Sequence, residues 1–266
     1  MNCEKKTDFS REKRVGIQEI KELAKERKSF ILFANRIEQF YTENSTNNSQ
    51  ADMYVRHLKK EATPDAVKKA YEQTVMGIAH YDKIYNEGLR ENMAHELGED
   101  ILTAIEQSSY FHPTLKWSII TAAVSAAERR SKFERKIKKE QIYIERFSAE
   151  LCDICKDLNS INDQPVSQLG FDELRLTHEQ LTLLFEQCGE IASERQQQIQ
   201  SRNKNSLCID NGDIECYLYS DCEHKYPILS TIAELCKSIQ ETIRTIEQLI
   251  CMTPSEDVSS YPSNEQ

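Results

Sequence analysis

The chain has 266 residues, 34 basic against 44 acidic side chains, a net charge of −10 at pH 7 and 39% hydrophobic residues, enough to bury a core and too apolar for a disordered protein. The acidic balance argues against the whole molecule tracking along a nucleic-acid backbone. The charged segment 1–14 lacks the apolar stretch of a signal peptide, and the most apolar window, 119–127, falls far short of the ~20 residues that span a bilayer; a cytoplasmic protein with no membrane partner is expected.

Seven Gly and six Pro disfavour many tight turns and favour long helices. The first runs from Asp8 to about Tyr41, where Ile20, Leu23, Arg27, Phe30, Ala34, Ile37 and Tyr41 recur in steps of three and four, the stripe of one helix face. Residues 43–50 (ENSTNNSQ) read as a polar linker, and a short helical stretch is expected around Met53 to Lys60. Thr63-Pro64-Asp65 supplies a capping hydroxyl, a proline at the first helical position and an acid at the positive end of the helix dipole. The helix it opens is expected to carry Val67, Tyr71, Val75, Ile78, Tyr81 or Asp82, and Tyr85 on one face. The pattern restarts near Gly88 with Met93, Leu97, Ile101, Leu102 and Ile105, and Phe111-His112-Pro113 closes that segment.

From Pro113 to about Ile161 the periodicity predicts one helix roughly 70 Å long at ~1.5 Å per residue. Two sets of positions seven apart run through it. One is Ala123, Arg130, Ile137, Ile144, Leu151 and Leu158; the other is Ala126, Phe133, Glu140, Phe147, Ile154 and Ile161. This is a heptad seam with two polar interruptions, Arg130 and Glu140, which are expected to fix the register between helices or to snorkel. Asp163-Gln164-Pro165 ends it. A second seam follows at Phe171, Leu174, His178, Leu181, Phe185, Cys188, Ala192, Arg195 and Ile199, and so short a connection makes the two helices antiparallel neighbours. Residues 203–225 form an irregular connection with one or two helical turns near Ile214 to Tyr219. Tyr226-Pro227 opens the last helix, with Leu229, Ile232, Cys236, Ile239, Ile243, Ile246 and Ile250 in unbroken three-four alternation. The expected whole is an all-α, elongated antiparallel helical bundle with coiled-coil-like long helices. It forms one domain over 9–252, between a flexible N-terminus at 1–8 and a disordered tail at 253–266.

Chemical motifs are weak. His95-Glu96-Leu97-Gly98-Glu99 has the outline of a zinc-protease helix, but Glu99 stands where the second histidine would be; a solvated helix face is the expected reading. Nine cysteines without a secretory signal are expected to be reduced thiols, several of them packed as small apolar residues. Cys152-x-x-Cys155 lies inside the long helix with no second pair at ligand spacing, so packing at the seam edge is expected. Cys208, Cys216, Cys222 and His224 cluster in the least regular segment as weak metal candidates whose spacing matches no common zinc module. His178 is read as a rim histidine. The stretch Glu128 to Arg146 carries eight basic and four acidic residues, which would attract phosphate but also suits the outer face of a helical bundle. Tyr71, His80, Tyr81 and Tyr85 fall on neighbouring turns and are the candidate partner-binding residues, since rings and an imidazole together hold a partner side chain.

Ala70-Tyr71, Thr74-Val75-Met76, His80-Tyr81 and Tyr85, then Leu97-Gly98, the long Ala-rich helix, Phe171-Asp172-Glu173-Leu174, and Tyr217-Leu218-Tyr219 with Tyr226-Pro227 together resemble an uncharacterised helical family of halophilic archaea. The resemblance covers about residues 11 to 250. It implies a salt-rich cytosol and a domain of unknown function, and it contributes no catalytic residues.

The favoured function is a non-catalytic interaction or scaffold protein, binding a protein partner or itself through helical surfaces, with no cofactor. The alternatives are a nucleic-acid-associated regulator using 128–146 and the basic first helix, and a metal- or thiol-dependent enzyme using the Cys208 to His224 cluster.

Overall fold

A computed structural model describes residues 9–42, 63–108, 111–204, 214–220 and 222–252. The described residues form an all-α bundle with no strand pairs between helices: α1 (Ser10–Glu38), α2 (Pro64–Thr74), α3 (Tyr81–Ile84), α4 (Leu89–Leu97), α5 (Glu99–Gln107), α6 (Pro113–Asn162), α7 (Phe171–Lys204), α8 (Ile214–Leu218) and α9 (Pro227–Met252). The linker at 43–50, the stretch Met53 to Lys60, Cys208 and the segments 1–8 and 253–266 lie outside the described residues. The chain divides into two compact units. One is Gly16–Lys138; the other comprises Met1–Val15 with Lys139–Gln266.

In the Gly16–Lys138 unit the core gathers Phe30, Phe33 and Ile37 of α1, Val67 and Tyr71 of α2, Met93 of α4, Leu102 and Ile105 of α5, and Ile119 and Ala123 of α6. Each fully buried large side chain contributes roughly 1.5–3 kcal/mol. Tyr71 meets Phe33 edge to face at 5.1 Å, a favoured ring geometry. The Lys116 ammonium donates to the Glu38 and Phe40 carbonyls, each at 2.7 Å, and so neutralises the negative end of α1. α2 starts as its sequence requires, with the Thr63 hydroxyl accepting from the Ala66 amide at 3.2 Å and Pro64 in the first turn.

Two helices break where periodicity alone would continue them. α2 stops at Thr74 and the chain turns through 75–80 before α3. A Cβ on Gly77 would stand 2.7 Å from the Gln73 carbonyl oxygen, so this turn requires glycine. The segment expected to run from Gly88 past Ile105 divides into α4 and α5 at Gly98, whose φ of +100° lies in the region that favours glycine.

In the other unit the second half of α6, α7 and α9 form three packed helices. α6 and α7 are antiparallel, since Glu140 meets Arg202 and Arg146 meets Glu194; α9 reverses again, placing Glu247 beside His178. The α6 seam is buried as expected at Ile137, Ile144, Phe147, Leu151, Ile154, Leu158 and Ile161. On α9 the buried face is turned slightly from the expected one: Ile228 and Leu235 are buried while Leu229, Cys236, Ile243 and Ile250 are only half-buried. On α1 a similar rotation buries Glu26 and exposes Arg27.

Candidate functional site: two internal ion clusters on the long helix

Both polar interruptions of the α6 seam prove to be hubs of internal charge. In the Gly16–Lys138 unit, Arg130 sits where α1, α4 and α6 meet. Its Nε donates to Glu26 Oε2 at 3.1 Å, and Nη1 donates to Glu96 Oε2 at 2.6 Å. Nη2 donates to the other Glu96 oxygen, completing a forked pair. The Phe30 ring lies 4.6 Å from the guanidinium carbon, at cation–π range. Arg129 adds a bond from Nη2 to Glu96 Oε2 at 3.1 Å. The Tyr85 hydroxyl donates to Glu26 Oε2 at 2.9 Å, and His80 Nε2 stands 3.2 Å from Glu26 Oε1. Beyond it the Tyr71 hydroxyl donates to Asn92 at 2.6 Å, and Asn92 donates to Glu87 at 2.9 Å.

Burial works against the charged form of Arg130, but the hydrogen bonds and charge of Glu96 outweigh it and lift the guanidinium above its usual range. Burial pushes the Tyr71 and Tyr85 hydroxyls up, assisted by the charges of Glu96 and Glu26 respectively. A cavity of about 10 Å³, on the order of one water molecule, lies among Glu26, Ser29, Asn92, Glu96 and Arg130.

The second hub is Glu140, fully buried in the other unit. Arg195 donates from Nη2 to Oε1 at 2.5 Å and from Nη1 to Oε2 at 3.1 Å. Arg202 donates to Oε2 at 2.8 Å, and the Tyr219 hydroxyl donates to Oε1 at 2.6 Å. Glu215 of α8 stands 3.0 Å from Arg202 and 3.9 Å from Arg195, so two carboxylates balance two guanidiniums. Burial alone would raise the Glu140 carboxyl; the Arg195 fork, Arg202 and Tyr219 together hold it below its ordinary range. At the centre of each cluster the carboxylate oxygens, those of Glu96 and of Glu140, are taken up by arginine and tyrosine donors, the arrangement of an internal clamp between helices.

The four aromatic candidates gather around the first hub. Tyr71, His80 and Tyr81 are buried and Tyr85 is half-buried. The residues of the zinc-protease-like segment separate: His95 is exposed beside Glu87, Glu96 joins Arg130, and Glu99 pairs with Arg90 at the surface. Cys155 is buried and accepts from Asn159 at 4.0 Å, while Cys152 is half-buried. His178 lies at the rim with its Nε2 3.3 Å from Glu247. Of the weak metal candidates, Cys208 and the Cys216 side chain are outside the described residues, Cys222 donates to Glu12 at 3.6 Å, and His224 is exposed. Among the described residues no three His, Cys, Asp or Glu side chains gather to hold a metal ion. Burial, with Cys236 close by, pushes the Cys188 thiol up to about 12.

Glu26 and Glu96 escaped the sequence reading, yet a signal for Glu26 existed. Leu23, Glu26, Phe30, Phe33 and Ile37 alternate by three and four as well as the chosen stripe does, and an arginine in a seam needs a carboxylate. Glu96 comes from α4, and Glu215 and Tyr219 from one turn at α8; the sequence of α6 and α7 holds no signal for them.

A family model matches residues 7–243. The chain belongs to the domain-of-unknown-function family DUF7260. The match takes in both ion clusters, so the hubs of this DUF7260 chain fall within the family's domain. No curated protein and no solved structure matches it. Among its described residues no helix is long and apolar enough to cross a membrane.

Proposed function

We propose that this DUF7260 chain is a non-catalytic interaction or scaffold protein that works through the outer faces of its helices in the cytosol. The observation that carries the reading is a set of large apolar side chains facing outward in pairs seven residues apart. Leu176 and Leu183 on α7 are 51% and 57% exposed, and Trp117 and Val124 on α6 are 62% and 36% exposed. Seven residues is two helical turns, so each pair marks one face. The charged groups that could do chemistry are, by contrast, bound to one another inside each unit.

The test is cross-linking followed by affinity capture at native salt, comparing the wild type with Leu176→Ser/Leu183→Ser and with Trp117→Ser. Cross-linked species that vanish in a variant whose circular dichroism is unchanged support the reading. A chain that comes down alone in every condition defeats it. The halophile setting belongs to the same proposal, and the capture is therefore run at molar salt as well as at low salt.

A nucleic-acid role has one observation in its favour. Of the four acids between Glu128 and Arg146, Glu140 is buried and Glu134 is held by Lys138 at 2.5 Å, whereas Lys132 and Arg135 face outward. Duplex binding that falls steeply with salt would support this second reading, and no binding at low salt removes it.

A further inference from the structure

The rows of side chains on the outside of α1 and α7 have matching spacing and opposite charge. On α1, Lys21, Lys25, Lys28 and Leu32 are all exposed. They follow in steps of four, three and four, so they form one line along the helix. Ile17 and Ile31, 46% and 39% exposed, flank that line. Glu26 faces inward beneath Arg130, and the acid beside the row, half-buried Glu22, accepts from Gln18 at 2.5 Å, so three lysines stand beside one acid. The row therefore presents positive charge on a chain whose net charge is −10.

On α7 the outward line is Asp172, Leu176, Glu179, Leu183, Glu186 and Glu190, every one exposed, again in steps of four and three. It is opposite in wheel position to the buried line through Leu174, Leu181 and Cys188, and so is a second seam on a helix whose first is already filled. A seam of alternating three and four needs a partner helix of the same period. α1 supplies such a partner, with lysines to meet the acids and Leu32, Ile17 and Ile31 to meet the leucines.

We infer that the chain associates with itself head to tail, the lysine row of α1 in one copy receiving the acid-and-leucine row of α7 in another. This rests on the interaction reading above and names its partner. The two rows are different surfaces, so the contact is heterologous, and each copy keeps one row open for the next until a ring closes or the chain of copies ends. Arg175 lies 2.6 Å from Glu179 on α7 itself; an exposed pair of this kind is weak and yields to an incoming lysine. A nucleic acid would satisfy the lysines and leave the flanking Ile17, Ile31 and Leu32 without burial, and it would be repelled by the acidic remainder of the chain.

The experiment is sedimentation velocity of the full chain over a range of concentrations at about 0.1 M salt, where surface charges still act over ~10 Å. The wild type gains mass with concentration. Lys21→Glu/Lys25→Glu/Lys28→Glu and Glu179→Lys/Glu186→Lys/Glu190→Lys each associate roughly tenfold or more weakly, while an equimolar mixture of the two associates again. All six substitutions are at exposed positions, and circular dichroism at 222 nm checks that each variant keeps its helix. A wild type that stays monomeric at every concentration overturns the inference, as do reversed variants that associate like the wild type. So does a reversal that changes the frictional ratio without changing mass, which would mean that the rows meet within one copy. If a duplex oligonucleotide binds the monomeric wild type and not the lysine variant, the row is a nucleic-acid surface and the inference fails. If self-association is missing but Leu176→Ser/Leu183→Ser still abolishes cross-linked partners, this inference falls and the interaction reading stands.

Discussion

Replacing Glu140 with alanine tests the second hub. The native cluster holds two carboxylates and two guanidiniums, and the substitution leaves Arg195, 1% exposed, and Arg202 facing Glu215 alone. Breaking a buried pair by removing one partner costs about 3–5 kcal/mol, because a charge is left uncompensated. Tyr219 also loses its acceptor, but this adds little separately, since groups in one network do not contribute additively. Glu215, only 3.9 Å from Arg195, offsets part of the loss and brings the expectation to about 3 kcal/mol. A chain of two compact units need not unfold in one step, so the assay is urea-dependent hydrogen exchange read separately on peptides of α7 and α9. Trp117, the single tryptophan, lies in the Gly16–Lys138 unit, and its fluorescence should report little change. The companion Glu140→Leu/Arg195→Met replaces the pair with apolar groups and should cost far less than the single change. A Glu140→Ala variant within about 0.5 kcal/mol of the wild type, the range of an ordinary surface substitution, would refute the reasoning.

Arg130→Lys keeps the charge and loses the fork to Glu96 and the flat contact with Phe30; it should destabilise the Gly16–Lys138 unit by about 2 kcal/mol, read from the thermal midpoint of Trp117 fluorescence. Because the Glu140 carboxyl is held below its ordinary value near 4.3, its contribution is complete above that pH and is lost as pH falls below it. Acid exchange of α7 peptides should therefore rise below about pH 4, and Glu140→Gln should flatten that dependence. Gly98→Ala forces a side chain into a backbone with φ of +100° and should cost about 1–3 kcal/mol, visible as early melting of α4 and α5. In native protein at pH 8 iodoacetamide should modify exposed Cys251 well before Cys188, whose thiol is held near 12 by burial; equal rates would mean that α7 and α9 open freely.

The helices were legible in the sequence because their faces repeat and their ends carry Thr63-Pro64, Pro113, Pro165 and Pro227. The breaks at Gly77 and Gly98 were not, since a glycine within a periodic run reads the same whether the helix continues or turns. Arg130 and Glu140 could be picked out as interruptions of the seam, and both are bonded to side chains of other helices, Glu26, Glu96 and Arg195. Their partners were hidden because a charged residue looks equally at home on either side of a helix until packing chooses. The rotation of α1 by one position, from Arg27 to Glu26, is such a choice. Both stripes of α1 alternate by three and four, and the packing against Arg130 on α6 distinguishes the one through Glu26. The outward rows of α1 and α7 escape a reading that looks only for each helix's buried face.

The claim that binding belongs to the outer rows and cohesion to the inner ion clusters is tested most directly by hydrogen exchange of the full chain at low and high protein concentration. The account predicts slower exchange on concentration in peptides covering 18–32 and 172–190, with those around Glu96, Arg130 and Glu140 unchanged. Protection gained at the ion clusters and none at the two rows would contradict it.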